Sequence, residues 1–250
     1  MKLSIIIPVY NEERTISTTI ECVEKLLLPH GFQKEIIIVD DASTDTTSKI
    51  LSKYSPNFYI IRHEKNRGKG AAVRSGFLAS TGDIVVIQDA DLEYDPSDLL
   101  FMLEPIMSGK ADVVYGSRLM TNRPHRVMYF WHYLGNKLLT LISNLCTNLN
   151  LTDMETCYKM MTRKVIDDIK IKLTSERFGI EPEITARIKR YRIYEVGISY
   201  SGRTYREGKK INWKDGVAAL WHIVKFNLLP YFITQLYINH DINQEFYRRT

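Results

Sequence analysis

The chain has 250 residues, of which 44% are hydrophobic and 25% are charged, a composition that is typical of a globular protein and excludes a low-complexity one. Its formal net charge of +5 indicates anionic partners, and leaves open nucleic acid, phosphorylated metabolites, acidic lipid surfaces and a mildly basic surface without a specific partner. The scattered Cys22, Cys146 and Cys157 argue against a disulfide framework and against a zinc site.

The N-terminal half alternates short apolar runs with segments long enough for helices. The apolar runs are Leu3–Val9, Glu35–Val39, Phe58–Ile61, Ile84–Ile87 and Val113–Tyr115. The segments between them are Glu13–Leu28, Thr44–Tyr54, Gly70–Ser80 and Pro96–Met107. Short apolar runs bounded by polar turns predict strands buried on both faces, so the alternation predicts an α/β fold with a mostly parallel sheet. Because the first run is too short for a signal peptide, we expect a cytosolic protein.

The second half has longer amphipathic segments. Its predicted elements are the helices Val127–Leu145, Glu183–Tyr191 and Val217–Ile238 and the strand Tyr194–Tyr200. Polar residues and Pro230 interrupt the first and last helices, so neither is expected to span a bilayer. They are either core helices or, given their aromatic residues and flanking cations, helices that lie in a membrane interface. We expect a main domain over residues 1–212 and a membrane-associating extension over residues 213–250.

Polar side chains follow four of the predicted strands. In a parallel sheet, ligands bind outside the carboxyl ends of the strands. The segments at these ends are Pro8–Glu12, Asp40–Ser43, Gln88–Asp91 and Gly116–Arg118. Three of them are acidic and one is basic, so we expect a site at this edge of the sheet.

Asp89 and Asp91 come directly after a strand that is predicted to be fully buried. Two carboxylates in such a turn repel each other unless a cation lies between them. Oxygen ligands supplied by few protein groups suit Mg²⁺ or Mn²⁺, which also bind substrate phosphates. A solvated acidic turn or a helix cap is the alternative interpretation, and we favour the metal site.

Two further segments at this edge permit two interpretations each. Asp40 and Asp41 either accept hydrogen bonds from a nucleotide or cap the following helix. The basic, glycine-rich turn Lys65–Gly70 either binds phosphate or is a tight solvated turn. This turn lacks the spacing of a P-loop.

Cationic residues lie on both sides of the aromatic helix. They are Arg118, Arg123 and Arg126 before it, and Arg203, Arg206, Lys209 and Lys210 after the last predicted strand. Arginine has a planar fork that suits phosphate. Each residue alone is explained by a solvated surface, but the arrangement indicates an anionic head group held beside an apolar surface.

Four sequence blocks together resemble glycosyltransferase family two. They are Ser4–Glu12, Val39–Asp45, Asn66–Gly70 and Asp89–Glu93. Within that family the chain is most similar to polyprenyl-phosphate sugar synthases of the dolichyl-phosphate mannose synthase type, from Leu3 to about Lys225. The resemblance implies a GT-A fold, an inverting transfer and a divalent metal.

The resemblance also implies roles for individual residues. Those for the nucleotide sugar are Pro8, Tyr10, Glu12, Val39, Asp41, Lys69, Asp89, Ala90, Arg203 and Lys209. Those for the acceptor phosphate are Ser117, Arg118 and Arg126. The expected metal ligands are Asp91 as the main one, Asp89, and Glu93, whose carboxylate stands where the mannose synthases often have a glutamine.

The expected reaction displaces a nucleotide diphosphate, of the GDP-mannose or UDP-glucose type, from the anomeric carbon of a hexose. A polyprenyl phosphate is already ionised and needs no general base, so the enzyme mainly positions two anions in line and screens their repulsion with the metal, which is expected at Asp91, and with arginine, which is expected at Arg118. The alternative acceptor is a sugar hydroxyl in an envelope polysaccharide, with Asp153 or Glu181 as the base. A non-catalytic nucleotide or RNA binder is a third hypothesis. We expect peripheral association with the cytosolic face of a membrane, with or without a membrane-protein partner, and no nucleic-acid partner.

Overall fold

A computed structural model describes residues 1–54, 58–120, 125–203 and 213–229, and within them seven strands form one sheet. The strands are β1 (Lys2–Val9), β2 (Gln33–Asp40), β3 (Tyr59–Arg62), β4 (Ile84–Ile87), β5 (Val113–Ser117), β6 (Lys159–Thr162) and β7 (Ile193–Gly197). They are ordered β3-β2-β1-β4-β6-β5-β7. Only β6 is antiparallel to its neighbours. The predicted α/β fold with a mostly parallel sheet is therefore confirmed.

Eight helices accompany the sheet in the described residues. They are α1 (Ile16–Lys25), α2 (Thr47–Leu51), α3 (Lys69–Ala79), α4 (Leu99–Met107), α5 (Phe130–Thr147), α6 (Arg163–Ile169), α7 (Ile180–Ile188) and α8 (Trp213–Asn227). A 3₁₀ turn, Pro96–Asp98, precedes α4, and Asp95 caps it by accepting a hydrogen bond from the Ser97 N–H. Helix α1 begins later than predicted because a turn, closed by the Thr15 N–H donating to the Glu12 carbonyl, precedes it.

The predictions missed two elements, β6 and α6. Strand β6 starts at Lys159, and lysine is a residue type that is seldom buried. Here Lys159 has no exposed surface, because its ammonium group donates to the backbone carbonyls of Met154 and Thr156. An antiparallel strand of this kind breaks the alternation from which the other strands were predicted.

The core consists mainly of the aliphatic strands β1, β2 and β4 and the helices that pack against them. Ile5, Ile6 and Ile7 of β1 are successive residues that point to opposite faces of the sheet, and all are fully buried. Helix α3 approaches β1 closely at Gly76, where an added Cβ would lie 2.3 Å from Cγ2 of Ile6. This close packing sets the position of the loop before α3, which borders the site described below.

Helices α5 and α8 pack against each other and form an apolar surface. Helix α5 buries Thr140, Ser143 and Thr147, whereas its largest apolar side chains face solvent. The exposed ones on α5 are Phe130, Trp131, Tyr133, Leu134, Leu138, Leu141 and Leu145, and those on α8 are Val217, Leu220 and Trp221. The core-helix interpretation is thus wrong for this face of α5. None of the helices among the described residues is long and apolar enough to cross a membrane.

The part of Val217–Ile238 that begins at Pro230 lies outside the described residues. The division of the chain after residue 212 stays a prediction.

Candidate active site

A cleft of about 970 Å³ opens at the carboxyl edge of the sheet, next to the ends of β1, β2 and β4. The predicted site residues that line it are Pro8, Tyr10, Glu12, Asp41, Lys69, Asp89, Ala90, Asp91, Glu93, Arg118, Arg126, Glu181 and Arg203. Three others, Val39, Ser117 and Asp153, are fully buried behind its wall, and Lys209 lies outside the described residues. The structure therefore brings most of the predicted residues together in one cavity.

Lys69 connects two carboxylates across the cleft. Its ammonium nitrogen lies 2.9 Å from Oδ1 of Asp89 and 3.2 Å from Oε1 of Glu181. Burial alone would lower the pKa of Lys69, but the charge of Asp89, with a smaller contribution from Glu181, raises it well above its ordinary value. Lys69 is therefore a permanent cation at the end of β4.

Arg203 supplies the second cation at this end of the cleft. Its guanidinium lies 3.0 Å from Oδ2 of Asp91 and 3.2 Å from Oε2 of Glu12. Burial raises the pKa of Asp91 to about 7, and the nearby charges of Asp89 and Glu93 add to this rise while Arg203 opposes it. Lys69 and Arg203 are shared among five carboxylates at this end of the cleft, so these two cations only partly balance its negative charge.

Asp89 and Asp91 fit a divalent cation, because both present hard oxygen ligands to the same cavity and their negative charge is incompletely balanced. Glu93 also lines the cleft, and its role as a ligand stays a prediction. Its carboxylate accepts hydrogen bonds from the Tyr200 hydroxyl (2.7 Å) and the Arg203 N–H (2.8 Å). In the parts of the chain that the structure describes, no three potential ligand side chains surround one point. Substrate oxygens would have to complete such a site.

Asp41 holds the glycine-rich loop, Lys65–Gly70, in place by hydrogen bonds. It accepts hydrogen bonds from the Arg67 N–H at 2.9 Å and the Gly68 N–H at 2.6 Å, and it lies 2.7 Å from Nδ1 of His63. These contacts engage both carboxylate oxygens, so Asp41 does not present a free carboxylate to a nucleotide in this structure. The two loop N–H groups are likewise engaged, which leaves Lys69 as the loop's contribution to anion binding. His63 has no counterpart among the predicted site residues.

Asp40 accepts a hydrogen bond from the Ser43 N–H at 2.9 Å, which closes the turn after β2. The N-cap of α2 has no side-chain hydrogen bond, so the capping role considered for the two strand-end aspartates is not observed. The loop itself requires glycine at Gly68, where φ is +98° and an added Cβ would lie 2.6 Å from the Glu176 carbonyl oxygen. This close approach seats the loop against the segment that leads into α7. As a result, Lys69 and Glu181 reach each other.

The basic strand end is held by a buried ion pair. Arg118 donates through Nε to Oδ2 and through Nη2 to Oδ1 of Asp153, both at 2.7 Å. The guanidinium carbon also lies 5.4 Å from the centre of the Tyr200 ring. Burial would raise the pKa of Asp153, but Arg118 and its hydrogen bonds lower it below the ordinary value. Asp153 is thus an orienting partner of Arg118, and its lack of exposure is at odds with the predicted base role.

Two other predicted acceptor residues differ in their placement. Arg126 lines the cleft and donates from Nη1 to the Gly202 carbonyl at 3.1 Å. Ser117 does not reach the cleft, because its hydroxyl lies 2.6 Å from that of Thr152 and accepts hydrogen bonds from backbone N–H groups. Its predicted contact with the acceptor phosphate is therefore absent from this geometry.

The structure adds Glu155 to the site. Glu155 lines the cleft, and burial together with the charge of Glu181 raises its pKa to about 8. Its Oε1 is buried and has no hydrogen-bond partner among the described residues, and the same holds for Oε2 of Glu181. Glu155 lies two residues after Asp153, in a segment for which no helix or strand was predicted. Its charge was therefore the only sequence signal that could have identified it as a site residue.

The far end of the cleft is apolar. Val127, Met128, Trp131 and Leu139, from the start of α5 and the residues before it, line this end. Arg118 and Arg126 also line the cleft, so one cavity combines acidic, cationic and apolar walls. Such an arrangement suits a ligand that is anionic at one end and apolar at the other.

Comparisons with known proteins agree with this geometry. The model of the family described as "Glycosyl transferase family 2" matches residues 4–170. A dolichol-phosphate mannosyltransferase of Pyrococcus furiosus is 28% identical over 84% of this chain, which spans 59% of that protein. A UDP-N-acetylglucosamine–dolichyl-phosphate N-acetylglucosaminyltransferase of Methanococcus voltae is 27% identical over 90% of this chain and 95% of its own length.

Among solved structures, the glucosyl-3-phosphoglycerate synthase of Mycobacterium tuberculosis is similar to this chain. It was crystallised with Mn²⁺, UDP and glucosyl-3-phosphoglycerate. The TM-score is 0.69 at 19% sequence identity, over 90% of this chain and 80% of the synthase. At this identity the likeness establishes the fold, and the predicted GT-A architecture is confirmed.

Proposed function

The chain belongs to glycosyl transferase family 2, and from this premise we propose that it transfers a hexose from a nucleotide-diphosphate sugar to a polyprenyl phosphate. The observation that carries the proposal is the composition of the single cleft. Its acidic end suits a metal-bound diphosphate, Arg118 and Arg126 suit a second phosphate, and the apolar end suits a lipid chain. The names of the Pyrococcus and Methanococcus relatives support the same class of acceptor.

The donor would bind at the carboxyl ends of β1 and β4. Pro8, Tyr10 and Glu12 border the space for the nucleoside, while Lys69 and Arg203 are the cations nearest to the two aspartates. Asp89 and Asp91 would hold Mg²⁺ or Mn²⁺, which would supply positive charge to the departing diphosphate. The Mn²⁺ and UDP in the Mycobacterium synthase support this choice of metal and donor class.

The acceptor phosphate would lie against Arg118 and Arg126. Arg118 enters the cleft with a fixed orientation, because Asp153 holds its guanidinium by two hydrogen bonds. A phosphate oxygen is already ionised near neutral pH, so the transfer needs alignment and charge screening rather than a base. Because this transfer needs no base, it is compatible with the full burial of Asp153.

The lipid part of the acceptor would leave the cleft over α5 and α8. The apolar side chains on these helices are exposed, and the chain carries a net charge of +5. Exposed aromatic and aliphatic residues on a basic protein favour a helix pair that lies in a bilayer interface. We therefore propose peripheral association with the cytosolic face of a membrane, with or without a membrane-protein partner.

Transfer by the purified full chain tests the proposal. The chain is incubated with Mn²⁺, labelled GDP-mannose, UDP-glucose or UDP-N-acetylglucosamine, and either a short polyprenyl phosphate or a panel of free sugars. We expect one labelled donor to yield a labelled lipid. Label transferred only to sugars would contradict the lipid-phosphate assignment and favour a polysaccharide-forming enzyme with Glu181 as the candidate base.

A further inference from the structure

Two carboxylate oxygens in the wall of the cleft lack hydrogen-bond partners. They are Oε1 of Glu155 and Oε2 of Glu181, both buried, and neither contacts a donor in the described residues. Buried polar atoms in folded proteins are nearly always hydrogen-bonded, so an unpaired one in a cavity points to a ligand that supplies the missing donor. The two unpaired atoms belong to residues whose charges interact with each other.

The location of the pair is set by its neighbours. Glu181 shares Lys69 with Asp89, which places it beside the diphosphate end of the cleft. Glu155 follows the Asp153 that holds Arg118, and the charge of Arg118 acts on it. Within the proposed function, the carbon that is transferred has to lie between the leaving diphosphate and the attacking phosphate. The pair therefore borders the space for the sugar.

The chemistry of the pair suits a neutral polyol. Carboxyl oxygens accept hydrogen bonds from hydroxyl groups whether or not the group is ionised, and an ionised carboxylate repels phosphate. Lys69 already balances the other oxygen of Glu181, so the unpaired oxygens remain for uncharged donors. A hexose is the part of the donor that carries several hydroxyl groups.

Glu155 is also held rigidly. The buried ammonium of Lys159 donates to the carbonyls of Met154 and Thr156, the residues on either side of Glu155. Glu181 lies in the first turn of α7, where the Thr185 hydroxyl donates to its backbone carbonyl at 2.9 Å. Rigid placement of acceptors is what a site needs in order to distinguish sugars that differ in one hydroxyl group.

We propose that Glu155 and Glu181 form the subsite that binds the hydroxyl groups of the donor hexose and thereby determines which sugar is accepted. This inference rests on the proposed function for the identity of the ligand. It goes beyond that function in assigning sugar selection to two named side chains. Glu181 is then a specificity-determining residue rather than a general base.

Binding measurements on the full chain test the assignment. The dissociation constants of UDP, GDP and their hexose conjugates are measured with Mn²⁺ for the wild type, Glu155→Gln, Glu155→Leu and Glu181→Gln. Glu104→Gln is the matched control, because Glu104 is exposed on α4 and does not line the cleft. Thermal unfolding establishes that each variant is folded.

We expect the variants to bind the free nucleoside diphosphate within about twofold of the wild type. The preferred nucleotide sugar should bind about tenfold more weakly to Glu155→Leu, since a hydrogen bond to a buried carboxyl oxygen is lost. Glu155→Gln should lose less, because its amide oxygen still accepts. A donor analogue that lacks one contacted hydroxyl group should bind the wild type more weakly than the complete donor does. In the variant that no longer contacts that group, the analogue and the complete donor should bind with equal affinity.

Two results would overturn the assignment: nucleotide-sugar affinity that is unchanged in both Glu155 variants and in Glu181→Gln, or an equal loss for the free diphosphate and the sugar conjugate. These binding measurements contain no acceptor, so their result does not depend on which acceptor the enzyme uses. A wild type that binds a nucleotide sugar but does not glycosylate polyprenyl phosphate would refute the proposed acceptor alone, whereas a wild type that binds no nucleotide sugar would refute both proposals.

Discussion

Asp91 lies where three acidic side chains and one arginine meet, and its pKa of about 7 reflects burial and like charge in that cluster. Replacing Asp91 with asparagine removes a ligand for the divalent cation while keeping the size of the side chain. We expect hexose transfer to fall by about two to three orders of magnitude, because one electrostatic contact to a developing charge contributes roughly that much. Steady-state transfer rates measure the effect.

Asp95→Asn serves as the control for that variant. Asp95 is a nearby, exposed residue that caps the 3₁₀ turn before α4 and does not line the cleft. Its replacement should leave the transfer rate unchanged. Equal activity of Asp91→Asn and the wild type would refute the assignment of Asp91 to the metal.

Glu155 predicts a pH dependence of stability. Burial and the charge of Glu181 raise its pKa from 4.5 to about 8, so the folded protein retains a proton that the unfolded chain releases. This contribution to stability is fully present below pH 4.5 and is lost as the pH rises through about 8. Glutamine cannot titrate, so Glu155→Gln should gain stability relative to the wild type between pH 5 and pH 9, by on the order of a few kcal/mol.

Chemical denaturation of both proteins at several pH values measures this difference. Taking the difference between them cancels the titration of groups that the two proteins share. A gap in unfolding free energy that stays constant from pH 5 to pH 9 would show that Glu155 titrates normally.

The ion pair of Arg118 and Asp153 predicts a different outcome. Asp153→Ala leaves a buried guanidinium without its partner, and such a loss costs about 3–5 kcal/mol. We expect a lower unfolding midpoint in urea together with a higher KM for the lipid phosphate, since Arg118 loses its orientation. If Asp153 were a base instead, the variant would lose kcat and its pH–rate profile would lose the acidic limb, along which the rate rises as the base is deprotonated.

At the scale of elements, the ends of strands could be predicted from the sequence, but their contacts could not. Asp89 and Asp91 follow a fully apolar run, and that pattern alone places them at the edge of a buried strand. The partners Lys69 and Glu181 are brought together by close packing at Gly68, which no periodicity reveals. Strand β6 escaped prediction because its first residue is a lysine.

Helix α5 was predicted from its spacing, and its orientation required the structure. Its fully buried residues are Thr140, Ser143 and Thr147, whereas most of its large apolar residues are exposed, which is unlike an ordinary amphipathic helix in a soluble protein. Sequence periodicity identifies two faces and does not say which one meets the core. The inversion is the reason for assigning this face to a membrane.

The triple variant Trp131→Glu, Leu138→Glu and Leu145→Glu tests this role of α5. The three side chains are exposed, so the unfolding free energy should change by no more than about 1–2 kcal/mol in total. Sedimentation with vesicles that contain acidic lipids should show much weaker binding, because apolar insertion is replaced by charge repulsion.

The matched control places glutamate at Leu27 and Ile171, two exposed apolar residues outside α5 and α8. These changes should leave vesicle binding close to that of the wild type. Loss of binding in the control to the same extent as in the triple variant would show that overall charge, and not the α5 surface, governs association.

For the whole molecule, the fold class and most of the cleft residues follow from the order of strands and motifs. Contacts between segments that are distant in the sequence could not be predicted. One of them joins Arg203 and Glu12, which are 191 positions apart. The same is true of Glu93, whose hydrogen-bond partners Tyr200 and Arg203 lie more than 100 positions further along the chain.

The most direct test of the account is thermal unfolding of the full chain with Mn²⁺, with UDP or GDP, and with both together. A ligand held only by the native state, at 100 times its dissociation constant, adds about 2.7 kcal/mol, which for a chain of this size raises Tm by roughly 5–10 °C. We expect such a rise with the metal and one nucleotide together, a smaller one with either alone, and in Asp91→Asn no more than the rise that the nucleotide gives without metal. A Tm that neither nucleotide raises in the presence of Mn²⁺, or an equal rise in Asp91→Asn, would contradict it.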